Sequence, residues 1–356
     1  MKKIIILIIV FLIPFNVRAI SASSVIVMDS DNKRVLSGYN YHDKRLIASI
    51  SKIMTAIVAI EYGDLDKKIE VTNIIKKSFG SGIYIKVGEK ITLKDLLYGL
   101  MLRSGNDAAL QIAEHISGNV DEFVYLMNEY ASKLNMKNTK FINPHGLENE
   151  EGKGNTSTSY DMALLTSYAI KNNVFRKIFS TKEYTCKTNL MTYKWYNKNK
   201  LLKYDFITGG KTGFTEKARR TLVTTGSKNN INLVIVTLND PNDWQDHKEL
   251  YDNIFSNYKS IKIIDKTNFK IKNENYYKPN KLYVKTDFNM VLKTSEIKKI
   301  TLDINLTKYK DFNNDDIVGY VNVLLNKVIY HKEPIYIKKE VKKESVWRKL
   351  KGWINW

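Results

Sequence analysis

The stretch Ala48-Ser49-Ile50-Ser51-Lys52-Ile53-Met54-Thr55 constrains the fold more than any other part of this chain. Ile47, Ile50, Ile53, Met54, Ile57, Val58 and Ile60 run through and past it without Gly or Pro. That pattern predicts a helix buried on most of its surface. Ser49 and Lys52 are three residues apart and so share one helical face. A lysine inside so apolar a segment is costly unless it is paired. Burial lowers its pKa, and a neutral lysine can act as a base. A serine one turn away is the group such a base can activate. Taken alone, Ser-x-x-Lys is a common spacing, and the plain reading is a core helix with a surface serine and a snorkelling lysine.

Two further triplets change that balance. Ser104-Gly105-Asn106 and Lys211-Thr212-Gly213 follow in order. The trio Ser-x-x-Lys, Ser-Asp-Asn and Lys-Thr-Gly is the pattern of class A β-lactamases and penicillin-binding proteins, with Gly105 here in place of Asp. Ser104-Gly105-Asn106 falls between two predicted helices, a junction that exposes a hydroxyl and an amide rigidly. By itself it is ordinary turn composition.

At 356 residues the chain is long enough for two domains. Its formal net charge of +20 suits an anionic partner: nucleic acid, anionic lipid or an acidic wall polymer. The N-terminus narrows the choice. Met1-Lys2-Lys3 followed by an apolar run from Ile4 to Ile13 reads as a secretory signal peptide, assigned to 1–22, with Val17-Arg18-Ala19 or Ile20-Ser21-Ala22 before the cut. Export argues against nucleic acid. The single cysteine, Cys186, excludes an internal disulfide framework and is given a structural role at most.

Ser24–Met28 and Arg34–Tyr39 read as a hairpin leading into the Ser49 helix. Thr92 is a predicted N-cap with Asp95 three residues on, a capping box with Asp in place of Glu. Helical periodicity continues, with breaks, to Ile170, which predicts an inserted helical subdomain. Strands resume around Lys211-Thr212-Gly213, Thr221–Gly226 and Asn232–Leu238, followed by a helix capped by Asp243. Strands at both ends with helices between predict one antiparallel sheet closed by the N- and C-terminal segments. From about Ser260, alternating segments predict a small β-rich domain without a catalytic constellation. The expected division is 1–22, 23–259, 260–338 and 339–356. The last piece sets Val346, Trp347, Leu350, Trp353, Ile354 and Trp356 among six Lys and Arg residues, which predicts a basic amphipathic helix on an anionic membrane surface.

With these motifs in order, the chain resembles the serine-type D-alanyl-D-alanine carboxypeptidases, the low-molecular-mass penicillin-binding proteins. The likeness runs from about Ser24 to Tyr258. It extends to Asn143-Pro144-His145-Gly146-Leu147, Ser159-Tyr160-Asp161-Met162-Ala163 and Asn197–Leu202. The resemblance implies an α+β fold of the penicillin-binding/β-lactamase-like transpeptidase type, an antiparallel sheet with helices and a helical subdomain, followed by a small β-rich domain. It implies Ser49 as nucleophile, Lys52 as its base and Ser104 as proton relay to the leaving D-Ala. Asn106 is implied as a substrate-amide contact, Lys211 and Thr212 as partners of the terminal carboxylate, and the Ser49 and Phe214 N–H groups as the oxyanion site. Substrates would be peptidoglycan stem peptides, with β-lactams as inhibitors and no cofactor. Two departures fall at the expected rim: Ala218-Arg219-Arg220 where the family commonly has Ala-Gly, and Thr208 where it usually has an acid.

His42, His115, His145, His247 and His331 show no metal-ligand spacing, and no Gly-rich phosphate loop is evident. Three alternatives stand beside the carboxypeptidase reading. A DD-endopeptidase uses the same catalytic set. A β-lactamase needs a deacylating carboxylate, for which Glu148, Glu150 and Glu151 are the nearest residues. A non-catalytic wall-binding protein would use the basic surface.

Overall fold

A computed structural model describes residues 20–340. The proposed leader and the basic C-terminal segment lie outside the described residues, apart from Ile20 to Ala22 at one end and Lys339 and Glu340 at the other. No helix among the described residues is long and apolar enough to cross a membrane.

The expected antiparallel sheet is present. Strands β1 (Ser24–Asp29), β2 (Arg34–Tyr39), β3 (Ile207–Thr215), β4 (Arg219–Lys228) and β5 (Ile231–Leu238) form five strands in the order β2-β1-β5-β4-β3. The N-terminal strand pairs with the last one, Ser24 opposite Leu238, so the two ends of the region close one sheet. The central strands β1 and β5 are buried on both faces, which is why they read as apolar runs. Ile26, Met28, Val223, Val234 and Val236 pack on one side against the helical layer. Val27, Leu222, Leu233 and Ile235 pack on the other against Tyr251 and Ile254 of a C-terminal helix.

The helical layer comprises α1 (Lys52–Tyr62), α2 (Leu93–Tyr98), α3 (Asn106–Ser117), α4 (Val120–Lys133), α5 (Ser159–Ala169) and α6 (Asn173–Ser180), and α7 (Asp243–Asn257) covers the opposite face. Every residue of α1 from Lys52 to Ile60 is buried, as the apolar density requires. Three local expectations need correction. Helix α1 begins at Lys52, and Ser49 sits in the 3-10 turn Ala48–Ser51 ahead of it. Thr92 caps α2 by accepting from Asp95 N–H at 3.0 Å, but Asp95 does not reach back to the N-cap backbone. One methylene shorter than Glu, it accepts from the Thr92 hydroxyl at 2.6 Å and from Tyr184 Oη at 2.7 Å. Asp243 is the first residue of α7 rather than its cap, and its carboxylate turns to Arg220 on β4. The sequence reading passed over α6 and the hairpin of Glu183–Lys187 with Thr192–Tyr196. That hairpin buries Cys186, whose thiol burial pushes up to about 12.

The β-rich region follows α7 without a break. Strand β6 (Tyr258–Ile264) runs across the expected boundary and pairs with β8 (Phe288–Lys293). Strands β7 (Lys281–Tyr283), β9 (Ile300–Leu306), β10 (Ile317–Leu325) and β11 (Val328–Lys338) form a second sheet in the order β7-β11-β10-β9. It carries its own core, including Met290, Leu292, Val321, Val323, Ile335 and Ile337. Arg34 ties this region to the main sheet through Glu296 at 2.5 Å and the Val291 carbonyl.

Candidate active site

The site lies where the turn before α1, the turn before α3 and the end of β3 meet. Ser49, Ser81, Ser104, Lys198, Thr212, Gly213, Phe214, Arg220 and Trp244 line a cleft of about 350 Å³.

Lys52 is wholly buried. Its Nζ lies 2.9 Å from Ser49 Oγ, 2.7 Å from Asn106 Oδ1 and 2.6 Å from the His145 carbonyl. Burial, then the charges of Lys211 and Lys198, hold its pKa well below the ordinary lysine value. The carbonyl at His145 is delivered by the Asn143–Leu147 loop. Asn143 Oδ1 accepts from Gly146 N–H at 2.6 Å and Asn143 Nδ2 donates to Leu147 O at 2.7 Å. Thr55 Oγ1 donates to Pro144 O at 2.6 Å and fastens the loop to α1. Gly146 has φ +92, and a Cβ there would lie 2.0 Å from Ala48 O, so only glycine lets the loop close on the nucleophile turn. His145 therefore enters through its backbone. Burial, then Lys52, lower its ring pKa to about 3, and Nδ1 accepts from Leu147 N–H at 3.2 Å.

Ser104 occupies the left-handed region, φ 63 and ψ 38, at the end of the π turn Gly99–Arg103. This conformation turns its hydroxyl toward Lys211, whose Nζ lies 3.0 Å from Ser104 Oγ. Asn106 starts α3 with both ends of its amide engaged, since Nδ2 donates to Phe79 O at 2.6 Å. Lys211 is buried on β3 and also donates to Thr212 O at 2.7 Å. Burial and the Lys198 charge lower its pKa to about 7. Gly213 permits the close approach of β3 to the nucleophile, because a Cβ there would lie 2.9 Å from Ser49 N and 2.4 Å from Thr221 Oγ1.

The structure thus brings Ser49, Lys52, Ser104, Asn106, Lys211, Thr212 and Phe214 to one cleft. Sequence reasoning missed Lys198, the His145 carbonyl and Trp244. Lys198 bonds Ser81 Oγ at 3.0 Å and adds a third lysine to the field. Its signal was the Asn197–Leu202 match, to which no role was attached.

The rim also differs from expectation. Arg220 lines the cleft, pairs with Asp243 at 2.7 and 2.8 Å and lies over the Trp244 ring at 5.3 Å. Arg219 is exposed. Thr208 lies outside this cleft. It bonds Thr225 at 2.8 Å and lines a separate one with Ser30 and Arg176, since three residues of strand carry it away from Lys211. Glu148 accepts from Thr215 Oγ1 at 2.5 Å and does not line the catalytic cleft, and neither do Glu150 and Glu151. Among the described residues no group of His, Cys, Asp and Glu could hold a metal ion.

A family model described as peptidase S11, D-alanyl-D-alanine carboxypeptidase, matches residues 14–242. The chain belongs to this family. The D-alanyl-D-alanine carboxypeptidase DacF of Bacillus subtilis is 36% identical over 224 residues, covering 60% of this chain and 56% of its own length. DacA of Haemophilus influenzae is 31% identical over 262 residues, covering 69% and 65%. The matched segment thus spans less than two thirds of either S11 relative. A crystal structure of penicillin-binding protein 5 from Haemophilus influenzae superposes with a TM-score of 0.74 at 26% identity, covering 90% of this chain and 98% of that one. The fold is that of the S11 penicillin-binding proteins, extending into the β-rich region.

Proposed function

We propose that this S11 peptidase is a D-alanyl-D-alanine carboxypeptidase that removes the terminal D-Ala from peptidoglycan stem pentapeptides through an acyl-enzyme at Ser49. The observation that carries the reading is the Ser49–Lys52 contact of 2.9 Å in a cleft walled by Thr212 and floored by buried Lys211.

In this reading Ser49 Oγ attacks the carbonyl of the penultimate D-Ala, and Lys52 takes its proton. A depressed lysine pKa favours the neutral base the step needs. The oxyanion rests on the N–H groups of Ser49 and Phe214, an arrangement whose donors matter by about a hundred- to a thousandfold in rate. Ser104 passes a proton to the departing D-Ala nitrogen as the C–N bond breaks, and Lys211 orients Ser104. Water then hydrolyses the ester. Lys211 and the Thr212 hydroxyl receive the terminal carboxylate. Since both ends of its amide are engaged within the protein, we assign Asn106 to holding Lys52 rather than the substrate. β-Lactams acylate Ser49 as mimics of the terminal dipeptide. The absence of Glu148, Glu150 and Glu151 from the cleft lining weighs against a class A β-lactamase. We place the enzyme outside the cytoplasm, with a leader within 1–22, a catalytic domain reaching to 259, 260–338 as a β-rich module and 339–356 as an anchor on anionic lipid.

The test is intact-mass spectrometry after incubation with benzylpenicillin. A stable adduct on the wild type, mapped to Ser49 and missing from Ser49→Ala, is expected. A folded wild type that takes no adduct overturns the acyl-enzyme reading and moves a non-catalytic wall-binding role forward.

A further inference from the structure

Asp240, just after β5, and Asp246, in the first turn of α7, are both fully buried. They meet on Ser21. Its Oγ lies 2.8 Å from Asp240 Oδ1 and 2.7 Å from Asp246 Oδ2, and its backbone N–H donates to Asp246 Oδ2 at 2.6 Å. The other two oxygens, Asp240 Oδ2 and Asp246 Oδ1, are buried with no hydrogen-bond partner among the described residues. Their neighbour Asp243 is neutralised by Arg220. No lysine, arginine or histidine forms an ion pair with Asp240 or Asp246 among the described residues. Two buried carboxylates facing each other without a cation are strongly disfavoured. The pair has no counter-ion among the described residues.

The chain itself can supply it. Hydrolysis of the Ala19–Ile20 peptide bond by a leader peptidase leaves a carboxylate on Ala19 and an α-ammonium on Ile20. Successive backbone nitrogens are about 3 Å apart, so this ammonium would lie within about 6 Å of Asp246 Oδ2, inside the range at which opposite charges stabilise each other. Tyr39 Oη holds the segment in place by hydrogen-bonding the carbonyls of Ile20 and Ala22, at 3.1 and 2.6 Å. We infer that Asp240 and Asp246 form a receptor for the α-ammonium created at Ile20, so that the processed chain gives the buried pair a counter-ion and the unprocessed chain does not. The inference rests on the reading that a leader is removed, and it selects Ala19 over Ala22 as the cut, since the second would discard Ser21.

The other titratable or charged groups around the pair are Tyr39 from β2, Asp243 and His247 from α7, and Arg220 from β4, which is committed to Asp243. Burial holds His247 neutral, lowering its pKa to about 3. Without the ammonium the pair must share a proton, and burial, with Asp246 adding to it, raises Asp240 to about 6. A raised carboxyl pKa gives stability that is present at low pH and lost as pH rises through about 6. The two forms of the chain should therefore differ above that pH and converge below it.

The test compares the chain beginning with a free Ile20 amine against the same chain with that amine acetylated. At pH 8 the free amine should raise the melting temperature by on the order of 5–10 °C, and the gap should close at pH 5. Asp240→Asn combined with Asp246→Asn should abolish the gap at pH 8. Equal melting temperatures at pH 8 overturn the inference, as does an exported protein that begins at Ser23. A chain that keeps its leader in cells refutes only the export reading, and the two in vitro proteins still decide the receptor.

Discussion

Replacing Arg220 by Gln tests the cleft wall most directly. The Arg220 guanidinium bridges both oxygens of Asp243, whose side chain is 2% exposed, while the arginine side chain is 37% exposed. Breaking a wholly buried pair typically destabilises by about 3–5 kcal/mol because the remaining charge is stranded. Water reaches this arginine, so the figure is discounted to about 2 kcal/mol. With an m-value of about 2 kcal/mol/M the urea midpoint at pH 7 should fall by about 1 M. Burial already raises the Asp243 pKa against the opposing pull of Arg220, and losing the arginine raises it further. The penalty is therefore full at neutral pH and shrinks as Asp243 protonates on acidification. In a double-mutant cycle, Asp243→Asn should recover most of the loss. A penalty that does not change with pH, or a coupling energy under about 0.5 kcal/mol, refutes the reasoning. The same variant should raise KM for a carboxylate-terminated dipeptide substrate, because Arg220 faces the cleft beside Thr212.

Other outcomes follow from the same geometry. Gly213→Ala puts a methyl 2.9 Å from Ser49 N and 2.4 Å from Thr221 Oγ1, so penicillin acylation should slow by about a hundredfold or more, and a rate within threefold of wild type contradicts the oxyanion assignment. The Lys211 ammonium, with its pKa near 7, is lost as pH rises through that value, so KM for the peptide should climb above neutrality. Lys198→Met should move that climb to higher pH, and a KM flat from about pH 6 to 9 in wild type denies Lys211 the carboxylate role. His145→Ala should leave acylation within about threefold, because the residue serves through its carbonyl, and a hundredfold loss would assign the ring a catalytic part.

The sequence by itself determined the buried helix, the order of the three motifs and the closed antiparallel sheet, because each is written in local periodicity and spacing. Apolar density made α1 a core element, and apolar runs bounded by turn residues marked β1, β2, β4 and β5. The family resemblance of the motifs also marked Ser49, Lys52, Ser104, Asn106, Lys211, Thr212 and Phe214, whose convergence is a tertiary fact. Only the tertiary structure decided what surrounds them. A backbone carbonyl at His145 has no side-chain signature, yet it completes the cage around Lys52. The depressed pKa values of Lys52 and Lys211 depend on burial and on lysines distant in sequence. Which of two adjacent arginines faces the cleft depends on the pleat of β4, and which of Asp240, Asp243 and Asp246 gains a cation depends on where Arg220 comes to lie. Such long-range electrostatic pairings are set by packing, and a chain read in one dimension does not contain the distances that decide them.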